Sequence, residues 1–343
     1  MAETAVTDAA EARRFERLAL PYRRELLAHC YRMLGSADDA EDLVQETYLR
    51  AWRSYAGFEG RSSLRTWLYR IATTACLTAL EDRGRRPMPA GLAGPGDVDG
   101  PLAAARRDVP WLQPLPDAAL AARRDVPEDP ATLVALRAGL RLALVAAMQH
   151  LPPRQRAVLI LRDILAWRAA EVADALDMTT TAVNSALQRA RAQLAAAGIT
   201  EDDVADELDP DARALVDRYV AAFENADVGG LLAVLRDDVT LQMPPIPTWF
   251  AGRDAVARFV ARACGGRHRG AFTVPVGVNR QAGFAFYVPD GHGGWVGHSI
   301  QVVTVRGGGI ARVDAFVDTG LFAAVGLPVG VDAGTRAALR DRA

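Results

Sequence analysis

Asp38-Asp-Ala-Glu-Asp42-Leu-Val-Gln-Glu-Thr-Tyr-Leu-Arg-Ala-Trp52 decides how the chain is read. Gly35 and Ser36 stop the preceding segment, and Ser36 or Asp38 can cap a new helix. Acids at 38, 39, 41 and 42 suit the positive end of that helix dipole. Leu43, Val44, Thr47, Tyr48, Ala51 and Trp52 then recur at three- and four-residue steps, which marks its buried side. Upstream, Phe15, Leu18, Tyr22, Leu26, Leu27, Cys30 and Leu34 make one further apolar stripe. Downstream, Gly57 and Gly60 bracket a loop. Ser62 or Ser63 caps a third helix carrying Trp67, Leu68, Ile71, Ala75 and Leu80. Around that loop Arg61, Arg65 and Arg70 interleave with Phe58, Trp67 and Tyr69. Cations for phosphate and flat faces for unstacked bases suit single-stranded DNA, although buried aromatics beneath surface arginines give the same pattern.

Charge and composition narrow the setting. The 343 residues suggest two or three domains, and half of them are apolar. The net charge is −2 and all 40 basic residues are Arg, so a nucleic-acid surface must come from segregation of charge onto faces. No lysine is present for a P-loop or a Schiff base. Cys30, Cys76 and Cys264 are far apart, which argues against a zinc knuckle or a disulfide framework. No apolar run reaches a membrane span, and Met1 to Glu16 lacks a signal-peptide core. A cytoplasmic protein with no membrane partner and no cofactor is expected.

A second helical zone follows a stretch with four Pro and four Gly in residues 87–101. Leu133, Leu136, Leu140, Leu144, Met148 and Leu151 predict a helix ended by Pro152-Pro153. Ala170 to Leu176, a turn at Asp177-Met178 and an N-cap at Thr179 read as a helix-turn-helix. Its second helix buries Val183 and Leu187. Thr180, Thr181, Asn184, Ser185, Gln188, Arg189 and Arg191 are left for solvent or for base edges and phosphates. After an acidic run at 201–211, helical signals at 215–223 and 229–235 lead to a strand-like run at 239–243, a helical one at 254–263, and strand-like runs at 272–278, 283–288, 295–305 and 310–317. Arg306-Gly-Gly-Gly309 reads as a hairpin turn rather than a phosphate loop, because no helix follows it.

Asp38 to Trp52, with Phe58 to Leu68, resembles region 2 of the extracytoplasmic-function sigma factors of bacterial RNA polymerase. Residues 137–194 resemble region 4 of the same family. The C-terminal stretch, with Trp249-Phe-Ala-Gly-Arg-Asp254 and Ile310-Ala-Arg-Val-Asp-Ala-Phe316, resembles a SnoaL-like domain. Pro110-Trp111-Leu-Gln-Pro-Leu-Pro116 looks like the linker motif of the subgroup with that extension.

The resemblance implies two all-α domains and a C-terminal α+β cone. Residues 12–86 are then region 2 and 87–130 a flexible linker marked by Trp111. Residues 131–198 are region 4, and 203–332 a SnoaL-like regulatory domain. It implies an alternative sigma factor that binds core polymerase through its largest and second-largest subunits, and promoter DNA. Core-polymerase contacts carry over to Asp38, Asp39, Asp42, Gln45, Glu46 and Arg50. Contacts to the −10 element carry over to Phe58, Arg61, Ser62, Ser63, Arg65, Trp67 and Arg70, and −35 contacts to the seven exposed residues of the second helix-turn-helix helix. Thr74 and Thr78 depart from the family's Asn and Asp, and Asp177 stands where a turn glycine is usual.

The cone is expected to hold a pocket for a small-molecule or protein ligand, lined by Trp249, Phe250, Tyr287, His298 and Asp314. No enzymatic activity is expected of the chain. Were the extension catalytic, Asp238, His298, Asp314 or Asp318 would be the general base, and alternation does not fix which points inward. Two rival classes are a ligand-responsive helix-turn-helix repressor, which leaves residues 12–86 unexplained, and a DNA-binding module fused to a SnoaL-like isomerase or hydrolase.

Overall fold

The computed structural model describes residues 2–121, 136, 139–197, 210–225, 227–267 and 270–340. Leu133 and most of the acidic run at 201–211 lie outside them. The chain forms two compact units. One joins Met1–Arg86 to Ala119–Val204, and the other joins Pro87–Ala118 to Ala205–Ala343.

In the first unit, α1 (Ala2–Ala19) and α2 (Arg23–Leu34) replace the single expected stripe. Pro21 lacks an N–H, and the chain turns through a 3₁₀ step at Leu20–Tyr22. Leu18 is left exposed by that turn, whereas Phe15 packs beside Trp52 and Tyr55. Gly35, at φ +70°, ends α2. The Ser36 hydroxyl then caps α3 (Ala37–Ser54) by accepting from the Asp39 N–H at 3.1 Å. The Ser63 hydroxyl caps α4 (Leu64–Arg83) through the Thr66 N–H at 3.0 Å.

Leu26, Leu27, Val44, Leu68, Ala72 and Cys76 fill the space among these helices. Two polar groups are sealed in the same space. Glu25 accepts a forked pair of hydrogen bonds from Arg65 and a third from the Tyr69 hydroxyl. His29 lies 2.9 Å from the Thr73 hydroxyl through Nε2, and burial holds its pKa down at about 3.

The second helical zone is shorter than its periodicity predicts. Gly139 sits at φ +71°, and α5 runs only Leu142–Met148. It is followed by α6 (Pro153–Leu159), a wider π turn at Ile160–Ile164, α7 (Ala169–Leu176) and α8 (Thr180–Ala196). Asp177 takes the left-handed conformation at φ 52°, and the Thr179 hydroxyl accepts from the Ala182 N–H at 3.1 Å. The tight turn between α7 and α8 is therefore made without glycine.

In the second unit, α9 (Pro210–Glu224), α10 (Val228–Val234) and α11 (Arg253–Arg267) pack on one face of a sheet. Its strands are β1 (Leu235–Met243), β2 (Ile246–Ala251), β3 (Phe272–Val278), β4 (Gln281–Pro289), β5 (Trp295–Arg306) and β6 (Gly309–Phe316). Their order is β2-β1-β6-β5-β4-β3, and a short β7 (Gly330–Val331) joins β5. The sheet is mixed, because β1 pairs with β6 in parallel. Short helices α12 (Gly320–Ala324) and α13 (Ala333–Arg340) follow the sheet. Phe322 packs against Tyr287, and Arg336 lies over Trp295 at 4.3 Å.

The stretch 87–118, expected as part of a flexible linker, packs within the second unit. It is folded onto the sheet domain. The Ala90 N–H reaches Gln242 Oε1 at 2.8 Å, Pro116 bridges to Val278, and Leu115 and Asn279 exchange two hydrogen bonds at 2.8 Å. Trp111, Leu112 and Leu115 are buried. Apolar linker residues thus have a sheet to cover, and composition alone does not reveal that.

The depressed His29 pKa has a definite sign. An unfolded His29 takes up a proton below about pH 6.5 and the folded one does not until about pH 3, so its contribution to stability is complete above 6.5 and falls toward 3. The slope is about 1.4 kcal/mol per pH unit. Urea unfolding at pH 7.5 and 5.0 should therefore show His29→Gln losing about 2 kcal/mol less on acidification than the unchanged chain.

Candidate nucleic-acid interface

The outer surface of α3 carries Asp38, Asp42 and Gln45, all exposed and spaced to share one helix face. Leu49 continues that stripe and is 51% exposed, a large apolar side chain at the same angular position. Its spacing from Asp38, Asp42 and Gln45 is the signal that could have found it. Asp39 points elsewhere and forms an ion pair with Arg86. Glu46 pairs with Arg50 at 2.7 Å, and Arg50 turns from the stripe to line a cleft.

That cleft, about 1220 Å³, is walled by Arg50, Arg53, Phe58, Arg61, Trp67 and Arg70, with Thr74 on its floor side. Phe58 packs on Trp67 at 4.8 Å, and Tyr55 lies beyond it at 6.4 Å. A short aromatic ladder thus stands beside a row of guanidinium groups, an arrangement matched to unstacked bases and their phosphates. Ser62 lines the same cleft, and Arg61 pairs with Glu59 at 3.1 Å in full exposure. Two expected members belong elsewhere. Ser63 is the helix cap. Arg65 faces inward to Glu25, with its closest oxygen at 2.6 Å, so its charge balances a buried carboxylate instead of facing the cleft. Tyr69 is likewise buried, and burial next to Glu25 drives its hydroxyl pKa far up. Arg53 was missed because it lies in the last turn of α3, outside the loop that drew the reading.

The cleft is closed on one side from within the same unit. Arg70 donates to Asp174 of α7 at 2.8 Å and to the Asp174 carbonyl at 3.3 Å. On α8, Thr180, Thr181, Asn184, Gln188, Arg189 and Arg191 are exposed and Ser185 is half-buried, while Val183, Ala186, Leu187 and Ala190 anchor the helix. Arg191 is held by Asp163 at 2.7 Å. The two helical zones are also joined beneath the surface. Arg156 Nη1 donates to the Met33 carbonyl and to Gln149 Oε1, and Nη2 to the carbonyls of Gln149 and Leu151.

Comparison with known families places names on these parts. Sigma-70 region 2 matches residues 18–86, Sigma-70 region 4 matches 141–194, and a SnoaL-like domain matches 216–313. The sigma factor SigG of Mycobacterium tuberculosis, an extracytoplasmic-function RNA polymerase sigma factor, is 48% identical over 335 residues. The match covers 96% of this chain and 88% of that one. The chain belongs to the extracytoplasmic-function sigma factors. SigJ of the same organism is 27% identical over 244 residues, 69% of each chain. Its crystal structure shares the fold, with a TM-score of 0.59 at 23% identity over 92% of this chain and 99% of that one. As a sigma factor the protein binds core RNA polymerase and promoter DNA and promotes transcription initiation. None of its described helices is long and apolar enough to cross a membrane.

The SnoaL-like domain holds a cavity of about 700 Å³ between α9, α11 and the concave sheet face. Of the five residues expected to line it, only His298 does. Phe250 is core, stacked on Phe259 at 4.5 Å. Tyr287 is stacked on Phe272, and its hydroxyl donates to the Pro328 carbonyl. Trp249 sits at the β2 edge and donates to the Ala93 carbonyl. Asp314 alternates to the opposite sheet face from Ala315. There it is fully buried and paired with Arg312 at 2.7 Å, and burial raises its pKa against the pull of that arginine. Asp238 is paired with Arg236 at the surface, and Asp318 caps the turn before α12 through the Gly320 N–H. Among the described residues, no carboxylate lines the cavity.

Arg65→Ala should destabilise the protein by about 3–5 kcal/mol in urea unfolding, because it strands the buried Glu25 charge. Arg61→Ala, on an exposed pair, should stay within about 0.5 kcal/mol.

Proposed function

We propose that the first unit is the resting form of the initiator, in which region 4 blocks part of the −10 reading surface of region 2. The observation that carries this reading is the Arg70–Asp174 pair. The guanidinium that would grip a −10 phosphate is occupied by the first helix of the helix-turn-helix. Size argues the same way. A compact body of about 170 residues is on the order of 40 Å across. Elements centred near −35 and −10 lie roughly 25 base pairs apart, about 85 Å of duplex. The two reading surfaces must separate to engage both.

In the open form, Phe58 and Trp67 stack flipped bases of the melted strand, while Arg53, Arg61 and Arg70 hold its phosphates. The exposed face of α8 enters the −35 major groove. Asn184 and Gln188 suit adenine, and Arg189 suits guanine or phosphate. The stripe Asp38, Asp42, Gln45 and Leu49 docks on polymerase, with Leu49 as its apolar anchor. The SnoaL-like domain regulates these steps.

Run-off transcription with core polymerase tests the reading. Leu49→Asp should abolish transcripts and co-elution with core polymerase while leaving the unfolding curve unchanged. Asp174→Asn should raise transcript yield several-fold from the same start sites. Unchanged yield from Asp174→Asn would count against the blocked cleft. Deleting residues from about 203 onward should change yield without changing the promoter sequence selected.

A further inference from the structure

The linker is built in two parts. Residues 111–116 are an anchor, mostly buried and bonded to the β3–β4 turn. Residues 93–106 are a strap, mostly exposed, that rounds the free edge of β2 and reaches the mouth of the cavity. Three strap N–H groups hold it there: Gly96 to the Trp249 carbonyl at 2.8 Å, Ala103 to the Thr248 hydroxyl at 3.0 Å and Arg106 to the Pro245 carbonyl at 2.8 Å. Arg262 donates to the Gly100 carbonyl at 3.3 Å, and Arg258 pairs with Asp99 at 3.3 Å. Only Val98 is inserted into the core. Between these ties Leu102 closes the cavity, 40% exposed on its outer side and lining the space on its inner side.

So few buried contacts make the strap the easily opened part of the linker, and the anchor the durable part. The cavity behind it has the size of a small-molecule site. Its walls are apolar except for His298, Ser299 and Gln301 together on β5. Burial lowers the His298 pKa and so favours its neutral form. The one charged lining residue among those described, Arg262, is committed to the strap.

Building on the regulatory role proposed for this domain, we infer that the cavity binds an uncharged apolar small molecule carrying a carbonyl or hydroxyl group, and that the strap 93–106 is its lid. A ligand that touches Leu102 favours the closed lid by the free energy of that contact. Both ends of 87–118 continue into the helical unit, so lid closure also sets how much free chain connects region 2 to region 4.

The test uses the full-length chain, Nile red as an uncharged probe, and hydrogen exchange read by mass spectrometry. Nile red should bind saturably with a blue-shifted emission. At ten times its Kd it should slow exchange across 93–106 by up to about tenfold, leaving 111–116 unchanged. Decan-1-ol should displace it and decanoate should not. Leu102→Ala, at a half-exposed position, should keep the fold and weaken both binding and protection. Non-saturable binding overturns the site. Binding without protection of 93–106, or binding indifferent to Leu102→Ala, overturns the lid. Equal displacement by decanoate overturns the uncharged class. Run-off transcription by the same preparation separates the cases: active protein without the lid response sinks this inference alone, whereas a lid response in inactive protein sinks the initiator reading instead.

Discussion

A single buried guanidinium holds the helical unit together. Arg156 stands at the start of α6 and faces the C-terminal ends of α2 and α5, where helix carbonyls lack intrahelical partners. Among the described residues, no carboxylate bonds to it. Its charge is met by the Gln149 side chain, by backbone oxygens and by the negative ends of two helix dipoles. Burial lowers its pKa to about 10, so it remains a cation at neutral pH. The sequence around it, Pro152-Pro153-Arg154-Gln155-Arg156, ensures this geometry. Two prolines stop one helix and start the next, which leaves the carbonyls of Gln149 and Leu151 open toward the guanidinium. Closure of the cleft depends on that joint, because it brings α7, and with it Asp174, up to Arg70.

The local elements were legible because their signals are local. Caps at Ser36, Ser63 and Thr179 are short-range chemistry, and each occupies the position its sequence predicts. The strands from β3 to β6 follow alternation and turn residues in the same way. What failed was orientation across elements. Arg65 and Arg70 are five residues apart on one helix and look alike, yet one neutralises Glu25 from α2 and the other reaches Asp174, more than a hundred residues away. Nothing in the spacing of α4 separates those fates. Asp314 failed similarly. A carboxylate in a strand near a cavity reads as a general base, but a period of two leaves its face undetermined until the register with Gln242 is known. Strand β2 was missed for a different reason. Pro247 weakens its strand signal, and only an edge position, where one row of N–H groups needs no partner, makes that proline tolerable.

The linker shows how composition misleads. Four prolines and four glycines within 87–101 remove helix and strand, but they do not remove binding to a neighbour. Proline lowers the entropy lost when an extended segment docks, and glycine allows close approach. A Cβ on Gly96 would sit 2.6 Å from the Thr248 methyl group. The segment therefore covers the β2 edge, which would otherwise present an unpaired row of backbone groups to solvent. The same docking brings Leu102 to the cavity.

Two contacts of unequal depth join the two helical zones. The Arg70–Asp174 pair is solvent-exposed, with side chains 41% and 72% accessible, and such pairs contribute at most about 1 kcal/mol. It competes poorly with DNA phosphate and acts as a filter on the cleft rather than a lock. The Arg156 joint is desolvated, so breaking it requires water to reach the guanidinium and each carbonyl it leaves. That cost is offset only by contacts made elsewhere at the same time. In the proposed reading, polymerase supplies such contacts to the stripe on α3, and promoter DNA supplies them to α8. On that reading each partner adds to the drive for opening, and a chain of net charge −2 has little bulk-charge attraction to DNA by itself.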